Sequence, residues 1–201
     1  MRGLYLVTPD WDDTDRLLEI TGRALDGGAA LVQYRHKSAP PAQRREQASA
    51  LLRLCRGRGR PFLVNDYVAL AMELDADGVH VGGTDAPVSA VRMALGPDKI
   101  VGASCYGDLA LAQAAQDAGA GYVAFGGFYP SVVKKYAVTT SPAIVEQAKA
   151  RLRVPVVVIG GMTAENARTL VEAGADMVAA ISSVYRAEDA EAAAREFATL
   201  F

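Results

Sequence analysis

The chain has 201 residues, 51% apolar and 22% charged, enough for one domain with a sizeable core and short for two. Its 21 Lys and Arg against 23 Asp and Glu leave a net charge of −2, which argues against general binding to nucleic acid or to an anionic membrane. Two cysteines, Cys55 and Cys105, lack CxxC or metal-ligand spacing and read as reduced thiols of a cytoplasmic protein.

No apolar run approaches membrane-spanning length, and the opening MRGLYLVTPD turns acidic too soon for a signal peptide. Eight short apolar, β-rich runs follow along the chain. They are LYLVT from Leu4, LDGGAALVQY from Leu25, FLVND from Phe62, LDADGVHV from Leu74, KIVGAS from Lys99, DAGAGYVAF from Asp117, VPVVVIGG from Val154 and EAGADMVAA from Glu172. Alternate runs open with a helix end, then Gly or Ala and Asp, the joint a helix needs before its chain re-enters a sheet. Helix-like segments lie between the runs, among them TDRLLEITGRAL, SALLRLC, LALAQAAQDAG and AENARTLVEAG, and EDAEAAAREFATLF closes the chain. The Arg53, Arg56, Arg58, Arg60 cluster falls at a helix end, where cations suit the dipole. Strands alternating with helices pair in parallel through right-handed crossovers, and eight such units predict an α/β fold, a closed (β/α)8 barrel. No linker or low-complexity tract interrupts residues 1–201, so they read as one domain.

In such barrels the chemistry sits on the loops that follow the strands. Strand one ends in Thr8, and strand two in Gln33, Arg35 and Lys37, which period two places on one face with His36 turned the other way. Strand three ends in Asn65-Asp66, strand four passes His80 to reach Asp85, and strand five ends in Ser104. Strand six leads through Gly126-Gly127 into a loop with Ser131, Lys134 and Lys135. Strand seven ends in Gly160-Gly161, and strand eight in Ile181-Ser182-Ser183 before the last helix. Glycines and a helix N-terminus after strands seven and eight form the common phosphate site of this architecture. Arg35, Lys37 and Lys134 then need a second anion. Asp66 and Asp85 beside them could form plain salt bridges, but with a diphosphate they suit Mg²⁺, which takes one or two carboxylates together with substrate phosphates. His80, in mid-strand, reads as a hydrogen-bonded core or rim histidine, and no Ser-His-Asp or Cys-His set supports covalent catalysis.

With these motifs in order, the chain resembles the thiamine-phosphate synthase (thiamine-phosphate pyrophosphorylase) family. Gln33-x-Arg35-x-Lys37, Asn65-Asp66, GVHVGGTD, GASCY, FGGFYPSVVKK and VIGGMTAENARTLVEAGAD carry the resemblance from LYLVT to ISSVY. It implies a Mg²⁺-assisted transferase of thiamine biosynthesis. That enzyme joins 4-amino-2-methyl-5-hydroxymethylpyrimidine diphosphate to 4-methyl-5-(2-hydroxyethyl)thiazole phosphate, giving thiamine monophosphate and pyrophosphate. By position, Gln33, Arg35, Lys37, Asn65 and Lys134 would hold the pyrimidine diphosphate and Asp66 and Asp85 the metal. Ser104 would contact the pyrimidine; Gly161, Ile181 and Ser182, with Ser131 and Val133, would serve the thiazole phosphate. Arg35, Lys37, Ser104 and Lys134 would be the catalytic group. The partners implied are small molecules, and homo-oligomerisation is left open. Three departures stand out: Ser131-Val132-Val133-Lys134 replaces a common TxTK, Gly83 stands where glutamine is common, and the Tyr136-Ala137-Val138-Thr139-Thr140 segment is unusual.

Three rivals share the barrel. A thiazole tautomerase of the TenI type uses a histidine near the end of strand five, where GASCYG offers Cys105 and Tyr106. A phosphate-sugar epimerase would leave the second cationic cluster unexplained. A non-catalytic thiamine-phosphate-binding regulatory barrel would have little need for both the carboxylates and the cations.

Overall fold

The computed structural model describes residues 1–83, 85–130 and 140–201. Parallel strands β1 (Gly3–Val7), β2 (Leu31–Tyr34), β3 (Phe62–Asn65), β4 (Gly78–Val81), β5 (Ile100–Tyr106), β6 (Tyr122–Gly126), β7 (Val156–Ile159) and β8 (Met177–Ala180) close into a barrel in chain order. All eight expected strands form, and the fold is the (β/α)8 barrel. Helices α1 (Thr14–Asp26), α2 (Pro41–Arg56), α3 (Val68–Glu73), α4 (Val88–Leu95), α5 (Leu109–Asp117), α6 (Ala143–Arg151), α7 (Ala164–Glu172), α8 (Ser182–Tyr185) and α9 (Ala190–Ala198) surround it.

Alternation along the strands splits the core in two. Tyr5, Leu31, Leu63, Tyr122, Val157 and Met177 fill the barrel interior. The other strand faces, such as Leu4, Val32, Val64, Val101 and Val178, pack on Leu17, Leu51, Leu170 and Phe197 of the helices. A strand buried on both sides reads as a continuous apolar run, which is why VPVVVI showed no alternation. Gly102 is required where it stands: His80, Gly102 and Tyr122 pair across β4, β5 and β6, and a Cβ on Gly102 would fall inside the Tyr122 ring.

Local chemistry sets the helix starts. Asp13, Asp108 and Asp189 accept first-turn N–H groups of α1, α5 and α9, and Thr163 with Asn166 forms a capping box on α7. The arginine cluster ends α2, where Arg56 pairs with Asp75 and Arg58 with Asp26. Both cysteines are buried free thiols. Among the described residues, no helix is long and apolar enough to cross a membrane.

Candidate active site

The β2 rim is arranged differently from its simple alternation. β2 ends at Tyr34, so Arg35 and Lys37 leave the ladder and do not continue one strand face with Gln33. They turn to opposite neighbours. Arg35 Nη1 donates to both oxygens of Asp10, which follows β1, at 3.2 and 3.1 Å. Lys37 Nζ reaches Asp66 Oδ2, which follows β3, at 3.2 Å, while its backbone N–H donates to Asp10 Oδ1 at 2.9 Å. Gln33 and Asn65 are both buried inside the mouth. His36 is buried as well, its Nδ1 accepting the Ala39 N–H at 3.0 Å.

Thr8 extends the sheet with its side chain. Wholly buried, it donates from Oγ1 to the Arg35 carbonyl at 3.0 Å and accepts the Arg35 N–H at 2.8 Å. The near-isosteric Thr8→Val leaves both groups unpartnered. It should lower stability by about 1–3 kcal/mol, read as a lower denaturant midpoint at unchanged slope.

Asp66 sits at φ 62°, a left-handed conformation that Asp tolerates better than most residues. Its N–H continues the ladder to the His80 carbonyl at 2.9 Å. Burial, then the neighbouring Asp85, pushes the Asp66 carboxyl above its usual range, with Lys37 opposing. Asp85 Oδ2 accepts the Gly82 N–H at 2.7 Å. Two carboxylates held together at a cost fit a cation arriving with its own oxygen ligands. Among the described residues, no group of three or more His, Cys, Asp or Glu could hold a metal by itself. At Gly83 the place of a side chain is covered by Tyr106, at φ 54°. Its hydroxyl accepts the Gly83 N–H at 3.2 Å.

Ser104 lies on β5, its Oγ 2.8 Å from His80 Nε2. His80 is buried and hydrogen-bonded, as expected, and its Nδ1 meets Tyr122 Oη at 2.7 Å. Tyr122 meets Tyr5 at 2.7 Å, and Gln33 Nε2 donates to Tyr5 at 2.5 Å.

Across the barrel, the β7 loop turns through Gly160 at φ 113° and Gly161 at φ 63°. A Cβ on Gly161 would run into the Pro130 carbonyl, so the β6 and β7 loops touch through this glycine. Asn166 Nδ2 donates to the Gly161 carbonyl at 2.9 Å, and Tyr129 Oη donates to the Asn166 carbonyl at 3.0 Å. The capping residue of α7 thereby also aims the glycine loop. One expectation is corrected here: Ser182 and Ser183 precede the last helix in the chain but do not lie at its N-terminus, which Asp189 caps. Ile181 is the N-cap, both serines lie inside the short α8, and α9 follows. The cause is the sharp turn at Ile181, φ −122° and ψ −85°. Ser183 Oγ is buried without a hydrogen-bond partner among the described residues.

Ser131, Val133 and Lys134 lie outside the described residues. The structure brings Gln33, Arg35, Lys37, Asn65, Asp66, Asp85 and Ser104 to the rim after β2 to β5, and Gly161, Ile181 and Ser182 to the rim after β7 and β8. Asp10, Tyr5, Tyr122, Asn166 and Tyr129 were missed. Of these only Asn166 carried a sequence signal, the Thr163-x-x-Asn166 capping pattern.

A (β/α)8 barrel with cations and paired carboxylates on one half of its mouth and a glycine loop on the other defines an enzyme scaffold of the phosphate-handling class. Residues 4–184 match the thiamine monophosphate synthase family. The chain is 64% identical over 201 residues to the thiamine-phosphate synthase of Janthinobacterium sp. (strain Marseille), covering 100% of this chain and 97% of that one. It is 50% identical to that of Methylobacillus flagellatus, covering 100% and 96%. Among solved structures, thiamine phosphate pyrophosphorylase from Pyrococcus furiosus superposes with a TM-score of 0.85 at 33% identity, over 98% of this chain and 94% of that one. A 3-hexulose-6-phosphate synthase, 20% identical with a TM-score of 0.73, shares the fold. This chain belongs to the thiamine monophosphate synthase family.

Proposed function

We propose that the chain is a thiamine-phosphate synthase of the cytoplasm that joins the pyrimidine diphosphate to the thiazole phosphate with loss of pyrophosphate. The meeting of Lys37, Asp66 and Asp85 carries this reading, because a cation beside a carboxylate pair suits a departing diphosphate with its Mg²⁺. Asp66 and Asp85 would hold Mg²⁺, which supplies charge neutralisation of the leaving diphosphate. Arg35, Lys37 and Lys134 bind and orient the same group, with Gln33 and Asn65 holding the ring end. Ser104 meets the pyrimidine. Gly161, Ile181 and Ser182, with Ser131 and Val133, seat the thiazole phosphate so that its ring nitrogen faces the pyrimidine methylene.

As the C–O bond breaks, positive charge grows on that methylene and negative charge on the departing diphosphate. Fixed donors and cations stabilise this separation without a protein nucleophile. The tautomerase reading is disfavoured because Cys105 and Tyr106 stand where its histidine would be. Residues 1–201 act as one domain on small-molecule substrates.

Calorimetric titration separates the two halves. Pyrophosphate should bind at least about tenfold more tightly with Mg²⁺, whereas thiazole phosphate should bind alike with or without it. Equal Mg²⁺ dependence, or none for either ligand, contradicts the division.

A further inference from the structure

The barrel interior holds a run of polar side chains whose middle members, Tyr5, Tyr122 and His80, have no role in the proposed chemistry. Gln33, Tyr5, Tyr122, His80 and Ser104 come from five different strands, yet consecutive members lie 2.5, 2.7, 2.7 and 2.8 Å apart. Tyr5 and Tyr122 are 1% and 0% exposed. Buried polar groups of this kind are costly unless each is satisfied. The His80 and Tyr122 rings stack at 18° with centroids 5.7 Å apart, in the space that Gly102 leaves open.

One end fixes the direction of the rest. An amide nitrogen can only donate, so Gln33 Nε2 donates to Tyr5 Oη. In a chain that runs one way from Gln33, the Tyr5 proton turns to Tyr122 Oη and the Tyr122 proton to His80 Nδ1. In the same direction His80 carries its proton on Nε2 and donates it to Ser104 Oγ, whose own proton points onward. Burial raises the pKa of both tyrosines above the ordinary range, which keeps them O–H donors throughout.

We propose that Tyr5, Tyr122 and His80 are positioning residues forming a one-way hydrogen-bond chain, which presents Gln33 Oε1 to the mouth as an acceptor and the Ser104 hydroxyl as a donor. This rests on the synthase reading in one respect: the ring it fits is an aminopyrimidine. An exocyclic amine donates to Gln33, and a ring nitrogen accepts from Ser104. The 4-oxo counterpart presents a carbonyl and a ring N–H, the reverse pattern, and meets acceptor with acceptor and donor with donor. Selection against a ring that leaves buried polar groups mismatched can be large.

The test reads the tautomer and the selectivity separately. In ¹⁵N-histidine NMR of the whole chain, with the two histidine signals assigned through His36→Gln, His80 should show a protonated Nε2 and a bare Nδ1. Tyr122→Phe removes the donor to Nδ1, so His80 should become a tautomer mixture. Preference for the amino over the 4-oxo pyrimidine diphosphate, in kcat/KM, should fall by about tenfold, the value of one buried hydrogen bond. Tyr5→Phe severs Tyr122 from Gln33, so the Tyr122 hydroxyl is free to turn either way, and His80 should lose its single tautomer while the preference falls. A wild-type His80 protonated on Nδ1 means the chain runs the other way and overturns the proposal. So does a Tyr122→Phe protein with unchanged tautomer and unchanged preference. The NMR readout needs no turnover, so it decides the chain whether or not the synthase reading survives.

Discussion

Asp66→Asn and Asp85→Asn should each lower turnover by about 10²–10³-fold while the barrel stays folded. The loss is that expected when a carboxylate that holds a catalytic cation becomes neutral, a change worth several kcal/mol of transition-state stabilisation. Stability should move the other way or not at all. Asn tolerates the left-handed φ 62° of position 66 as well as Asp does. The sign of the charge effect follows from the raised Asp66 carboxyl. A carboxyl whose folded pKa lies above its unfolded value binds more protons when folded, so stability falls as pH rises through that interval. At neutral pH the ionised Asp66 is therefore a cost, which Asn removes, and the thermal midpoint should be equal or higher. Addition of excess Mg²⁺ should recover little activity. Full activity in both variants at ordinary Mg²⁺ contradicts the carboxylate assignment.

Gly161→Ala should raise KM for the thiazole phosphate by about 10²-fold and destabilise the chain more than its φ alone explains. A comparison within the same molecule isolates the cause. Gly59 has the same φ of 63°, yet a Cβ there meets nothing within 4 Å. Gly59→Ala should cost only the left-handed strain, about 1–2 kcal/mol. At Gly161 the added methyl meets the Pro130 carbonyl and the Tyr129 backbone, so the β6 and β7 loops must part and the backbone amides proposed to seat the thiazole phosphate move with them. Denaturation and steady-state kinetics on both variants read the difference. Equal stability loss and an unchanged KM in Gly161→Ala show that the loop contact does not shape the phosphate site.

The barrel was legible because each strand is a local apolar run bounded by Gly, Ala or Asp, and each answers to a rule of short range. FLVND becomes β3 up to Asn65, and VPVVVI becomes β7 from Val156 on. Rim residues were legible for a related reason: strand ends in a parallel barrel all face one mouth, so Asp66, Asp85 and Ser104 could be gathered from order alone. What order cannot give is side-chain direction past a strand end. Arg35 and Lys37 share a period but part at Tyr34, drawn to Asp10 and Asp66 on the two flanking loops. Nor does order show partners far apart in sequence. Tyr5 and Tyr122 are 117 positions apart, and each looks like an ordinary aromatic core residue in its own strand. The short α8 was hidden because Ser182 and Ser183 look like a helix cap, while the turn that makes them helical lies in the backbone of Ile181.

The measurement that tests the account most directly is pyrophosphate release from the purified chain. With pyrimidine diphosphate, thiazole phosphate and Mg²⁺ together, pyrophosphate and thiamine monophosphate should appear in equal amounts, and chelation of the metal should stop both. Pyrophosphate formed without thiamine monophosphate, or neither product while both substrates bind, contradicts it.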